Sequence, residues 1–370
     1  LKAVPPDKMS PHLREYHAKG GPVVSVLEVA SHGSFRAEYR FYTRSTVFPV
    51  KLTVASRPPH LVTGMWFGVQ APRFRKLGQV VQALGKLPGK VSFAACRLGG
   101  KTPRMLASLH PKQQLAVGST FKLYVLGALA HGKRRPEEVL RLRDAWRSWP
   151  SGMLQDWPAG TPVTLATLAG LMISISDNTA TDHLLHGLGR PAVEAMLAPM
   201  GHAKPARNRP LLSTREMFLL KEQGRPHLKR YLARDVAGRR AYLKQVLAKD
   251  GRRDFGGLDR VRPTAIDRVE WFASAADLCR AMDWLRGHKL ARDSLSINRG
   301  GVSFRDGRWR YVGYKGGSEP GVLNFTWLLQ RRDGKWIVLT LGWNDRKQPL
   351  DAEHLVELAQ SAVLVLEGER

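Results

Sequence analysis

The sequence predicts an α+β chain in two parts: a small α+β curved-sheet domain over residues 1–72, then residues 73–370 as an antiparallel sheet flanked by helices with an all-helical layer inserted. Three observations lead there. The chain has 370 residues, long for a single core. Four β-type runs follow one short helical stretch before residue 72. Beyond it, strand-like runs stand at both ends of a helical middle, so one sheet must be assembled from both termini of the second part.

The helical stretch runs from Met9 to Ala18, and the β-type runs are Val23–Val29, Ser34–Thr43, Val47–Ala55 and Leu61–Val69. Gly20-Gly21, Gly33 and Pro58-Pro59 punctuate them. Phe74–Lys86 reads as a helix that ends at Leu87-Pro88-Gly89, and strands follow over Val91–Leu98 and Met105–His110. Helical patterning then holds from Ser119 to about Val236. Leu295–Asn298, Trp309–Lys315, Gly321–Arg331 and Lys335–Gly342 alternate like neighbouring antiparallel strands, and Asp351–Leu366 closes the chain as an amphipathic helix.

Composition narrows the function classes. A hydrophobic content of 43% with 8% aromatics is that of a globular protein rather than a disordered one. A net charge of +28 invites nucleic acid or an anionic surface as partner. The basic residues are spread out, however, and no zinc-knuckle, RNA-binding or basic-zipper pattern accompanies them, so no specific nucleic-acid partner is expected; an anionic envelope surface remains a candidate partner. No apolar run approaches the ~20 residues of a membrane span. Cys96 and Cys279 are the two cysteines; neither sits in a C-x-x-C or Cys/His cluster, which argues against a thiolate metal site, and the sequence leaves open one disulfide or two buried thiols. No metal or cofactor is called for. The chain begins at Leu1, which suggests that an upstream segment has been removed.

Three short motifs carry chemistry. Ser119-Thr120-Phe121-Lys122 is S-x-x-K, Ser176-Asp177-Asn178 is S-D-N, and Lys315-Gly316-Gly317-Ser318 is a K-G-G variant of K-T-G. Each alone is weak; Lys19-Gly20-Gly21 is a second K-G-G that precedes the serine. Their order and context give them weight. An apolar helix, Leu123–Ala130, follows Lys122; S-D-N sits in a loop after the helical run Leu165–Ile175; Lys315 ends a strand. A serine hydroxyl needs a base within reach, and Lys122, three residues along one helix, shares its face. A buried lysine beside other cations loses its proton readily enough to be that base.

In this order the motifs resemble those of the class A β-lactamases and penicillin-binding proteins. A longer resemblance is to the β-lactamase-related hydrolases found beside the clavulanate pathway and as actinobacterial lipoproteins. It rests on Asn208-Arg209-Pro210, Ser213 to Phe218, Val269 to Ser274 and Lys315 to Asn324. The resemblance implies a steroid-isomerase-like (NTF2-like) domain followed by a class A-like domain. It implies Ser119 as nucleophile, Lys122 as base, Ser176 as proton relay, and Lys315 as the group that polarises Ser176 and attracts a substrate carboxylate. Asn178, Gly316, Gly317 and Ser318 would contact substrate, and the backbone N–H groups of Ser119 and Ser318 would form the oxyanion hole. It further implies a small acyl or β-lactam substrate and a periplasmic or secreted location.

Three departures qualify that expectation. The stretch Gly201–Leu212 stands where class A enzymes carry an omega-loop glutamate, and it contains no carboxylate. Glu216 is the nearest, and Ser213-x-x-Glu216 reads as a capping box. Gly316 replaces the motif's hydroxyl residue. The interval between S-D-N and K-G-G is also long, the excess falling in the basic region Gly224–Arg262, expected to wall the cleft or stand in for the omega loop. The expected function is a serine hydrolase working through a covalent acyl-enzyme, with slow turnover of β-lactams, esters or amides. The alternatives are a D,D-peptidase on cell-wall peptides and a non-catalytic binder that keeps the fold.

Overall fold

A computed structural model describes residues 6–222, 226–245, 259 and 261–368. The chain divides into two compact units. One comprises residues 1–86, 301–310 and 351–370, the other residues 87–300 and 311–350.

The first unit opens with helix α1 (Pro6–Gly20) and strands β1 (Ser25–Ser31), β2 (Arg36–Tyr42), β3 (Thr46–Val54) and β4 (Val62–Phe67), the four strands falling within two residues of where alternation puts them. They form an antiparallel meander in the order β1-β2-β3-β4, and the short β5 (Ala71–Pro72) pairs with β3. Helix α2 (Leu77–Leu84) buries Val80 and Leu84.

The second unit is built on a five-stranded sheet and a set of helices. Strands β6 (Lys90–Arg97) and β7 (Arg104–Leu109) come from its start. A short strand, β8 (Leu115–Ala116), leads to helix α3 (Lys122–His131). The pair β9 (Val139–Arg141) and β10 (Pro162–Thr164) interrupts the helical block. It continues through α4 (Leu165–Ser174), α5 (Asn178–Leu188), α6 (Arg190–Met196), α7 (Thr214–Lys221), α8 (His227–Leu232) and α9 (Val236–Gln245). Most of the remaining basic region 224–262 lies outside the described residues. Then come β11 (Phe272–Ala273), α10 (Ala275–Leu285), α11 (Lys289–Ser296), β12 (Trp309–Glu319), β13 (Val322–Arg331) and β14 (Trp336–Asn344).

The sheet order is β12-β13-β14-β6-β7, so strands from the two ends of the unit do lie side by side, with β14 antiparallel to β6 from Ile337 opposite Arg97 to Asn344 opposite Lys90. α10 lies on β14 and β6. Two expectations are corrected. Leu295–Asn298 is no strand: Ala291 and Leu295, one helical turn apart, are both buried, and α11 runs to Ser296. And Lys315 does not end a strand, because β12 continues to Glu319 before turning at Pro320-Gly321. The last element, α12 (Ala352–Glu367), belongs to the first unit; Asp351 caps its start and Gly368, in the left-handed region, ends it. There Glu367 forms a buried ion pair with Arg40 and accepts from the Trp309 indole at 2.8 Å. No helix among the described residues is long and apolar enough to cross a membrane.

Cys96 on β6 and Cys279 on α10 are joined as a disulfide, their Cα atoms 6.5 Å apart, which resolves the two alternatives that the sequence leaves open. Cross-linking positions 183 residues apart restricts the unfolded chain strongly. Reduction is expected to lower stability by about 2–5 kcal/mol. A urea midpoint that does not move with a strong thiol reductant would show that the sulfurs are unbridged in solution.

Candidate active site

The three motifs converge in the second unit. The segment carrying Ser119 is a short 3-10 turn, Gly118–Phe121, that runs into α3. It is clamped at both ends. Upstream, β8 pairs with β11, and Val117 N–H donates to Trp271 O at 2.9 Å. Downstream, the Phe121 ring stacks on Trp271 with centroids 3.8 Å apart, and the Trp271 indole donates to Leu212 O. Two buried aromatics in parallel contact fix the turn more firmly than its four residues alone could.

Lys122 is wholly buried. Its ammonium reaches Ser176 O at 2.6 Å, Asn178 Oδ1 at 2.7 Å and Ser176 Oγ at 3.2 Å. All three contacts go to the S-D-N loop, and among the described residues none joins Lys122 to Ser119. Burial pushes the Lys122 amine down to about 7, against the upward pull of Asp177 and Asp182. A neutral amine has two N–H groups and one lone pair. The two shorter contacts, both to carbonyl oxygens, use both donors, so the lone pair is left for the Ser176 hydroxyl.

The loop that presents Ser176 is held by Asp177. Its carboxylate accepts from Ala180 N–H at 2.8 Å, capping α5, and from Met153 and Leu154 N–H at 2.8 and 3.0 Å. Ser176 itself sits at φ +59°, a strained setting for a residue with a side chain, and these bonds hold it there. Asn178, expected to contact substrate, is bonded at both ends here: Oδ1 accepts from Lys122 and Nδ2 donates to Trp149 O at 3.0 Å.

Lys315 comes in from β12. It donates to Ser176 Oγ at 3.1 Å and to Gly316 O at 2.6 Å. Burial first, and the neighbouring Lys122 second, hold its amine well below the usual lysine range. Ser176 Oγ thus links two buried lysines, a path along which a proton can pass. Next to it, Gly317 lies against the serine turn. A Cβ there would stand 2.1 Å from Val117 O and 2.6 Å from Ser119 N, and one on Gly118 (φ +49°) would stand 3.0 Å from Ser318 N. The amides of Ser119 and Ser318 therefore flank one close backbone contact.

Above these groups opens a cavity of about 570 Å³ whose lining includes Ser119, Ser176, Lys315 and Ser318. Among the described residues, no carboxylate and no histidine lines it. Glu216 is engaged elsewhere: it accepts from Arg190 at 2.6 Å and from Ser213 N–H at 2.8 Å, closing the capping box of α7. Burial raises its proton affinity, but Arg190 and the cap outweigh this and leave the carboxyl below its ordinary range. Tyr314 is among the lining residues that the motifs do not identify. The signal for it is a motif without its hydroxyl and an aromatic residue two positions away on the same face of the strand.

The profile of the Beta-lactamase enzyme family matches residues 75–253, just under half of the chain. No curated protein matches. Among solved structures, the chain is similar to a β-lactamase from Sphaerobacter thermophilus (22% identity, TM-score 0.53, covering 79% of this chain and 96% of that one). It is similar also to a β-lactamase from Desulfarculus baarsii (19% identity, TM-score 0.53, 78% and 96%). A third likeness is to a point mutant of PBP-A, solved as an acyl-enzyme complex with penicillin G (16% identity, TM-score 0.50, 78% and 95%). The fold that brings S-x-x-K, S-D-N and K-G-G together is thus the mixed α/β fold of the β-lactamases and penicillin-binding proteins.

Proposed function

We propose that the chain is a serine hydrolase of the β-lactamase superfamily that forms a covalent acyl-enzyme on Ser119 and releases it slowly. The observation that carries this reading is the union of Lys122, Ser176 and Lys315 by hydrogen bonds beneath a cavity that Ser119 lines and no described carboxylate enters. Ser119 Oγ attacks an acyl carbonyl carbon and its proton passes to the Lys122 amine, whose lone pair turns from Ser176 toward the substrate-bound serine. The amides of Ser119 and Ser318 hold the oxyanion. Collapse breaks the bond to the leaving group, which takes the proton by way of Ser176 and leaves a serine ester. Hydrolysis of that ester needs an activated water, and the described residues of the cavity wall offer no carboxylate or histidine for the task. A point mutant of PBP-A, similar in fold, has been solved as an acyl-enzyme complex with penicillin G. The disulfide suits an oxidising compartment, in keeping with a periplasmic or secreted location.

Intact-mass analysis of the pure protein after mixing with 4-nitrophenyl phenylacetate, an uncharged acyl donor, tests this. The expected course is a one-to-one adduct that appears on Ser119, is absent in Ser119→Ala, and outlasts many minutes of dilution. Fast loss of the adduct would contradict the slow-release reading; rapid turnover of D-Ala-D-Ala peptides would favour the peptidase alternative. No adduct with any serine-directed reagent would leave a non-catalytic binder.

A further inference from the structure

The cavity's charge and the position of Tyr314 bear on what it accepts. Among the described residues Lys315 is the only charged side chain that lines it; there is no arginine, aspartate, glutamate or histidine. The Lys315 amine is already committed to Ser176 Oγ and Gly316 O. Burial, with Lys122 adding to it, favours its neutral form. The adjoining pocket past Ser318 has Lys221 and Arg262, but also Glu319 and Asp259, and Lys221 is ion-paired with Glu319. A carboxylate entering the main cavity would shed water without meeting a free cation among the described lining residues, which disfavours it. Apolar side chains, Ile173, Ile175, Phe218 and Phe325, make up much of the remaining wall.

Tyr314 fills the place of the hydroxyl that Gly316 lacks. An ideal Cβ on Gly316 would stand 2.1 Å from the Tyr314 hydroxyl and 2.8 Å from the ring carbon that bears it. A threonine at 316 and a tyrosine at 314 in this pose exclude one another. The ring is backed by Trp327, centroids 4.9 Å apart, whose indole is in turn held by Arg299 O at 2.9 Å. Among the described residues the Tyr314 hydroxyl makes no hydrogen bond, and it lines the cavity. Burial pushes the phenol well above its ordinary range, so it stays a proton-bearing donor throughout the working pH.

We infer that the acyl donor of this site is uncharged beside its scissile bond, and that Tyr314 donates the hydrogen bond it receives there. The inference rests on the proposed function, since it concerns the same acyl transfer to Ser119. Tyr314 is a specificity-determining residue: it contacts the substrate and takes no proton.

The test compares two aryl esters that differ by one charge, 4-nitrophenyl phenylacetate and its 3-carboxy derivative on the leaving group, in 0.3 M salt to screen the chain's general positive field. Release of nitrophenolate reports acylation, and a fluorophosphonate run in parallel reports whether Ser119 is reactive at all. The neutral ester is expected to acylate at least tenfold faster than its carboxylated partner after correction for their uncatalysed rates. Equal rates, or a faster carboxylated ester, overturn the inference. So does failure of both esters on a protein that the fluorophosphonate labels, while failure of all three probes takes the proposed function with it. Tyr314→Phe, which keeps the ring, is expected to slow the neutral ester about three- to tenfold through KM and kcat together, with an unchanged melting temperature. The double variant Tyr314→Ala with Gly316→Thr returns a hydroxyl to the motif position and is expected to recover most of that loss. An unaffected Tyr314→Phe, or a double variant slower than Tyr314→Ala alone, removes the tyrosine from the account.

Discussion

Lys122→Met is expected to slow acylation of Ser119 by about 10²–10⁴-fold, the usual worth of a positioned proton acceptor. Methionine nearly matches the lysine side chain in length and suits the burial at that position, so the loss isolates the amine rather than the packing. The wild-type pH profile should carry the same amine. Its pKa lies near 7, so the acceptor form falls about tenfold for each pH unit below that value and saturates above it. The acylation rate should therefore rise with pH through about 7 and then level. Stopped-flow acylation of wild type and variant from pH 5 to 9 checks both statements. A profile that already levels below pH 6, or a Lys122→Met variant within threefold of wild type, would assign the base to another group.

Gly317→Ala is the second large effect. The added methyl would press on Val117 O at 2.1 Å and on the amides of Ser119 and Thr120 at 2.6 and 2.7 Å. Those are backbone atoms of a turn clamped by the Phe121–Trp271 stack, so β12 and the serine turn must part. Misaligning one oxyanion donor costs on the order of 10²–10³ in rate, and overpacking adds about 1–3 kcal/mol of destabilisation. Gly316→Ala is the informative comparison, because the group it meets is the far end of the Tyr314 side chain, which can swing aside. Measured as acylation rate and melting temperature, Gly317→Ala should be impaired in both, and Gly316→Ala mildly in the first. Equal behaviour of the two would mean that the strand and the turn are not in close contact.

Local signals made much of the architecture legible. The four early strands, the helix behind Lys122 and the Ser213–Glu216 capping box are each dictated by residues within one element, and they lie where alternation, helical spacing and cap chemistry put them. Part of what escaped depends on contacts between segments far apart in the chain, and part on local patterns that fit more than one conformation. Spacing of three residues puts Ser119 and Lys122 on a common face, yet Lys122 bonds to a loop 54 residues on, because the asparagine and carbonyl there offer better acceptors than a lone hydroxyl. Tyr314 carries no motif; only the fold of β12 shows its phenol over Gly316. Leu295–Asn298 is apolar and short, a pattern that a strand and the end of a helix share. The pairing of Cys96 with Cys279 required a distance, which residue spacing does not contain.

That last bond has a consequence for how the protein survives damage. The stretch it spans includes the serine turn, the S-D-N loop and every helix from α3 to α9, but not the strand of Lys315. A single backbone cut anywhere inside the stretch yields two pieces that stay one covalent molecule. Nucleophile and strand remain tethered, and a nicked molecule keeps its parts at an effective concentration that free fragments never reach. In surroundings rich in proteases, the two sulfurs act as a retaining strap, released by reductants and not by peptidases.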